Sequence, residues 1–271
     1  MSVSTLDRYT CETFTDRGRT RDVFRRGEGP AVIVLAEMPG ITPKVIEFAD
    51  RVVDLGCTAV LPHLFGTPGR DPNEGGRFAG AVAMVGSLAP ACISREFTVL
   101  TVGATSPVVE WLRALAANEH ARCGGPGVGA VGMCFTGGFA LAMAVDDRLV
   151  APVMSQPALP LAVTRRRGRS IDLSPEDLAT VGGRCAAGDL RVMGLRFEGD
   201  PLVPADRFAF LREQLGDAFV GIELPASAAN SDSALPPHSV LTEHLVDEPG
   251  APTRDALDEV LDFLGRRLMV T

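Results

Sequence analysis

The chain has 271 residues, 46% of them hydrophobic and 22% charged, which excludes a disordered or fibrous polypeptide and provides for one large α/β domain. Twenty-six Lys and Arg against 34 Asp and Glu leave a formal charge of −8, and a pI near 5.1 offers no basic surface to a nucleic-acid backbone. No apolar run reaches the ~20 residues that span a bilayer, so neither nucleic acid nor membrane is an expected partner.

The six cysteines, at 11, 57, 92, 123, 134 and 185, form no Cys-x-x-Cys pair. The opening stretch MSVSTLDRYT lacks the apolar core of a secretion signal, so reduced thiols in the cytoplasm are expected. No cysteine lies at metal-ligand spacing from histidine or cysteine, and neither metal nor cofactor is expected.

Residues 31–36 read Ala-Val-Ile-Val-Leu-Ala, a continuous run suited to a central strand buried on both faces. Glu37 stands at its carboxyl end. In 43–55, Val45, Ile46, Ala49, Val52 and Val53 recur at helical spacing before Gly56, and 57–61 is the next strand, so this is a parallel βαβ unit. The Gly- and Pro-rich stretch 66–86 reads as a long loop placed for substrate contacts. A helix is predicted at 107–121, a strand at 128–133, a turn at 134–136 and a helix at 137–145. A strand at 149–154 follows, then a solvated loop at TRRRGRS, and Ser174-Pro175-Glu176-Asp177 opens a helix with a serine cap. Strands at 190–197 and 218–224 flank a helix at 205–215, and 252–268 is a final amphipathic helix. Without repeat or linker, this alternation predicts one domain over 1–271, an α/β fold with a mostly parallel sheet flanked by helices.

Gly132-Met133-Cys134-Phe135-Thr136-Gly137-Gly138 places a cysteine between an apolar strand and an apolar helix. A nucleophile on such an elbow is forced outward, and the helix start behind the thiol favours its anionic form. The turn departs from the common pattern at Thr136, where glycine is usual. A cysteine nucleophile needs an imidazole and an orienting carboxylate on later loops. The strand at 190–197 runs into Glu198-Gly199-Asp200-Pro201, which makes Asp200 the candidate acid, with an Asx turn as its structural alternative and Asp206 in reserve. Pro237-His238-Ser239 places His238 as the base, whereas His120 and His244 suggest only surface roles. His63, beyond the second strand, is a possible substrate contact or a packing residue. The amides of Phe135 and Met38 are positioned to form an oxyanion hole.

The segments AEMPGI, AVLPHLFG, VGAVGMCFTGGFALAMA, FEGDPLVPADRF and PPHSV together resemble the dienelactone hydrolase family over most of the chain from about residue 30. The resemblance implies the α/β-hydrolase fold and a Cys-His-Asp triad at Cys134, His238 and Asp200. It also implies that Glu37 holds the resting thiol and releases it as substrate enters. The sequence departs from the family where an arginine for the substrate carboxylate would stand, at Thr242, and where Pro-Asp would end the second strand, at His63. Arg77 and Arg95 are further candidates for contact with an anionic substrate. The implied activity is cysteine-dependent hydrolysis of a small ester, lactone or thioester by a monomer or homodimer. The alternatives are an acyl transferase, cyclase or isomerase on the same site, or a non-catalytic thiol-bearing binding protein.

Overall fold

A computed structural model describes residues 5–72, 74, 96–97, 101–233 and 235–269. Its strands are β1 (Thr10–Asp16), β2 (Arg19–Arg26), β3 (Ala31–Leu35), β4 (Thr58–Pro62), β5 (Val128–Met133), β6 (Leu149–Ser155), β7 (Val192–Phe197) and β8 (Phe219–Leu224). They form one eight-stranded sheet in the order β1-β2-β4-β3-β5-β6-β7-β8. The strands from β4 across to β8 are parallel, and β2 joins antiparallel to β4 and to β1.

The apolar run of β3 is buried on both faces because alternate side chains enter two separate cores. Ala31, Ile33 and Leu35 face one core, which packs against α2 (Val108–Cys123), α3 (Gly137–Met143), α5 (Pro175–Ala186) and α6 (Ala205–Leu215). Val32 and Val34 face the other, beneath α1 (Pro43–Asp54) and α7 (Pro252–Leu268). Helix starts follow the expected chemistry. Thr42 and Ser174 accept the N–H groups of Val45 and Asp177, and a proline opens each helix.

One local expectation is corrected. The stretch at 164–170 is not simply a solvated loop: it contains the short helix α4 (Arg165–Gly168), capped by Thr164. Cys185 lies in the last turn of α5 and is buried. The predicted loop at 66–86 falls largely outside the described residues, as do Cys92, Arg77 and Arg95.

Candidate active site

From β3 the chain passes through α1 to β4 on one side, whereas β5 lies on the other side of β3. Such a reversal leaves a crevice beyond the carboxyl ends of the two strands, where open α/β sheets receive ligands. Leu35 and Gly132 are register partners across β3 and β5. Glu37 and Met38 therefore leave the sheet beside Cys134 and Phe135.

Cys134 holds φ +52°, a left-handed conformation that costs a non-glycine residue about 1–3 kcal/mol and collects at functional sites. The sharp turn needs Gly132, since a Cβ there would lie 2.3 Å from the Thr136 carbonyl oxygen. Thr136 itself needs no glycine conformation, having φ −96°. Its buried hydroxyl accepts the Met133 N–H at 3.0 Å and lies 2.9 Å from the Leu35 carbonyl, which it can donate to. The departure from the usual elbow thus becomes a tie between the ends of β5 and β3. Behind the turn, the Phe135 ring meets Phe97, Phe65 and Phe139 at 5.3, 5.7 and 6.1 Å.

The loops beyond β7 and β8 meet at Asp200 and His238, where His238 Nδ1 donates to Asp200 Oδ2 at 2.7 Å. Asp200 also makes the Asx turn, because its Oδ1 accepts the Leu202 N–H at 2.9 Å; one buried carboxylate serves both uses. Burial alone would lower the His238 pKa. Negative charge on Cys134 and the hydrogen bond to Asp200 outweigh it and hold the imidazole well above its ordinary 6.5. A hydrogen-bonding interaction with the Cys134 side chain adds to the same upward shift.

Glu37 is buried, and its carboxylate turns toward the loop that carries His238. Oε1 accepts from the Thr242 hydroxyl, and Oε2 accepts from Ser239 Oγ at 2.6 Å and Gln156 Nε2 at 3.1 Å. Gln156 Oε1 in turn accepts the Val240 N–H at 3.3 Å. His244 is not the surface residue its position suggests. It is 1% exposed, Nδ1 accepts the Ser239 N–H at 3.1 Å, and Nε2 donates to the Leu235 carbonyl at 3.1 Å. Gln156 and His244 therefore fix the backbone immediately after His238, and Glu37 holds the side chains of the same segment.

The remaining candidates stand apart. His63 Nε2 lies 3.0 Å from the Gly66 carbonyl, closing its own loop, and Asp206 is paired with Arg165 at 3.7 Å on the surface. Gln156, Ser239 and His244 were not singled out by sequence reasoning. Their partners, the Glu37 carboxylate for Ser239 and Gln156 and main-chain N–H groups for Gln156 and His244, are brought near by the tertiary fold, and only the serine next to His238 carried any local signal. Among the described residues, no three His, Cys, Asp or Glu side chains are grouped to hold a metal.

The family model for the dienelactone hydrolase family matches residues 22–166. No curated protein matches the chain. Among solved structures, a protein from Klebsiella pneumoniae subsp. pneumoniae assigned as a dienelactone hydrolase is similar with a TM-score of 0.62 and 17% identity, over 95% of this chain and 98% of that one. A dienelactone hydrolase-like promiscuous phosphotriesterase from metagenomic libraries gives 0.59 and 15%, over 96% and 98%. An alpha/beta hydrolase from Penicillium sp. sh18 gives 0.59 and 16%, over 97% and 99%. At such identities the likeness concerns the fold.

Proposed function

The chain belongs to the dienelactone hydrolase family and is a hydrolase acting on ester bonds, and from that premise we propose that it works through an acyl-enzyme on Cys134. His238 takes the thiol proton on Nε2, and the thiolate attacks the ester carbonyl. The amides of Phe135 and Met38 hold the oxyanion. His238 then returns its proton to the leaving alkoxide as the C–O bond breaks. In the second half, water gives a proton to His238 and attacks the thioester, and collapse expels the Cys134 thiolate and frees the acid. Asp200 keeps Nδ1 protonated so that Nε2 faces the reaction.

The observation that carries this reading is the 2.7 Å contact between His238 and Asp200, on an imidazole that also feels the charge of Cys134. Thr242, in the position where the resemblance places an arginine, donates its hydroxyl to Glu37. This supports a neutral ester or lactone over a carboxylate-bearing dienelactone, and it assigns Glu37 to holding the His238 loop. The unpaired state of Cys11, Cys57, Cys123, Cys134 and Cys185 suits a reducing compartment. We place the enzyme in the cytoplasm as a single-domain monomer or homodimer.

The test is hydrolysis of a panel of activated aryl esters and small lactones, with intact mass recorded, by the wild type and Cys134→Ala. Turnover and an acyl adduct of the wild type that both vanish in the variant are expected. Undiminished turnover in Cys134→Ala would remove cysteine from the mechanism.

A further inference from the structure

Arg207, the third residue of α6, is completely buried. A guanidinium carries five N–H donors in a rigid planar fork, and here each finds a main-chain carbonyl. Nε donates to Ser170 at 2.9 Å. Nη1 donates to Pro157 at 2.6 Å and Leu202 at 3.3 Å. Nη2 donates to Pro160 at 2.6 Å and Arg167 at 3.0 Å.

Two of the gripped segments touch the proposed machinery directly. In the segment after β6, bonded at Pro157 and Pro160, Ala158 donates its N–H to the Cys134 carbonyl at 2.9 Å. In the segment after β7, bonded at Leu202, the Leu202 N–H reaches Asp200 Oδ1 at 2.9 Å, and Asp200 Oδ2 receives His238. One guanidinium therefore stands between the backbone of the nucleophile and the backbone of the acid.

We propose that Arg207 is the positioning residue that sets the spacing between Cys134 and the His238–Asp200 pair, holding both loops with a single rigid fork. The inference rests on the triad reading given above. A guanidinium suits the task because a lysine ammonium offers three donors and no fixed plane. The charge has a local counterpart as well. Burial lowers the Arg207 pKa to about 10, opposed by Asp172 and Asp200, so it stays cationic at neutrality. Asp172 is itself pushed up to about 7 by burial, and Asp200, the acid of the proposed triad, is the second anion that acts on Arg207.

The experiment uses Arg207→Lys and Arg207→Gln, each alone and combined with Asp200→Ala, so that one folded variant suffices. Turnover of an aryl ester is normalised to the Cys134 thiol titrated by iodoacetamide. A 1 Å misplacement costs ~10²-fold in rate, and that loss in kcat is expected with KM nearly unchanged. In the Asp200→Ala background the same substitutions should cost less than about threefold, because residues acting through one another are not additive. The low-field proton resonance of the His238 Nδ1–H···Asp200 bond supplies a readout independent of turnover, and it should broaden or move in both Arg207 variants. An unaltered resonance, unchanged kcat per titrated thiol, or an equal loss in both backgrounds would overturn the proposal. Absence of Cys134-dependent turnover in the wild type would overturn the triad reading instead, while the resonance would still decide whether Arg207 sets the geometry.

Discussion

The two ends of this molecule handle buried and half-buried charge in opposite ways. Around the β1–β2 hairpin, charge meets charge. Arg25 grips Glu119 through Nε at 3.1 Å and Nη2 at 2.7 Å, with Glu119 fully buried. Arg26, Arg8 and Tyr9 converge on Asp50 at 2.6, 2.5 and 2.9 Å. At the carboxyl edge of the sheet, charge is held by dipoles: five carbonyls surround Arg207, and two hydroxyls and an amide surround Glu37. An ion pair cancels the field it creates. A charge whose direct contacts are neutral groups, with the anions Asp172 and Asp200 acting on Arg207 without a hydrogen bond to it, is held in place by geometry more than by pairing, which suits a site where a thiolate and an imidazolium must form. The hairpin is built for stability, the crevice for orientation, and substitutions should separate the two.

The largest effect is expected at the orienting carboxylate. Asp200→Asn keeps the shape of the side chain but favours the wrong imidazole tautomer, and kcat should fall by up to ~10⁴-fold with little change in thermal stability. A loss below tenfold would break the contrast, since the pair would then serve stability more than orientation. The same pair has a pH signature. The folded His238 pKa lies above its ordinary 6.5. The stability it contributes is therefore complete below about pH 6.5 and is lost as pH rises through the folded value. Cys134→Ala removes the negative charge that raises it, so an NMR titration should find the His238 midpoint lower in the variant. An unchanged midpoint would separate the imidazole from the thiol.

The next effect belongs to the hairpin and has the opposite character. Glu119→Ala leaves the buried Arg25 guanidinium with only its longer contacts, to Glu12 at 3.4 Å and the Val23 carbonyl at 3.3 Å, a loss of about 3 kcal/mol in denaturant unfolding, whereas kcat per titrated Cys134 should be unchanged. A matching fall in kcat would mean that the hairpin is coupled to the crevice.

These residues also mark what the sequence could convey. β3 to β8 were legible because apolar runs separated by helical periods have few other solutions; the strand–turn–helix setting picked out Cys134, and chain order after it picked out Asp200 and His238. β1 and β2 were not. Their residues, such as Glu12, Asp22 and Arg25, alternate polar with apolar weakly, and the pairing partner of Arg25 lies 94 residues away. Arg207 was illegible for a related reason. Its partners are carbonyls, which every residue carries, so no composition or spacing singles it out. His244 misled because the surrounding Thr-Glu-His and Asp-Glu-Pro read as surface, while the fold turns that one ring inward against Phe197, at 6.1 Å between centroids.

A smaller effect is expected at the Glu37 cradle. Thr242→Val removes one donor from a buried carboxylate and leaves its oxygen unmatched, a cost of about 1–3 kcal/mol. The loss should reach activity too, because the same carboxylate holds Ser239 beside His238 at 2.6 Å. A drop in unfolding free energy with kcat intact would demote Glu37 from orientation to packing.

The smallest effect tests the surface side of the comparison. Arg8 donates to Asp50 at 2.5 Å with 48% of its side chain exposed, so much of the attraction is lost to solvent and to the entropy of holding a long side chain. Asp50 keeps Arg26 and Tyr9 when Arg8 is removed, so no buried anion is left unmatched. Arg8→Ala should therefore shift the unfolding free energy by less than about 1 kcal/mol, and less still as salt is added. A loss near that expected for Glu119→Ala would mean that the three donors on Asp50 act as one network, and that the hairpin, like the crevice, depends on every charge staying in place.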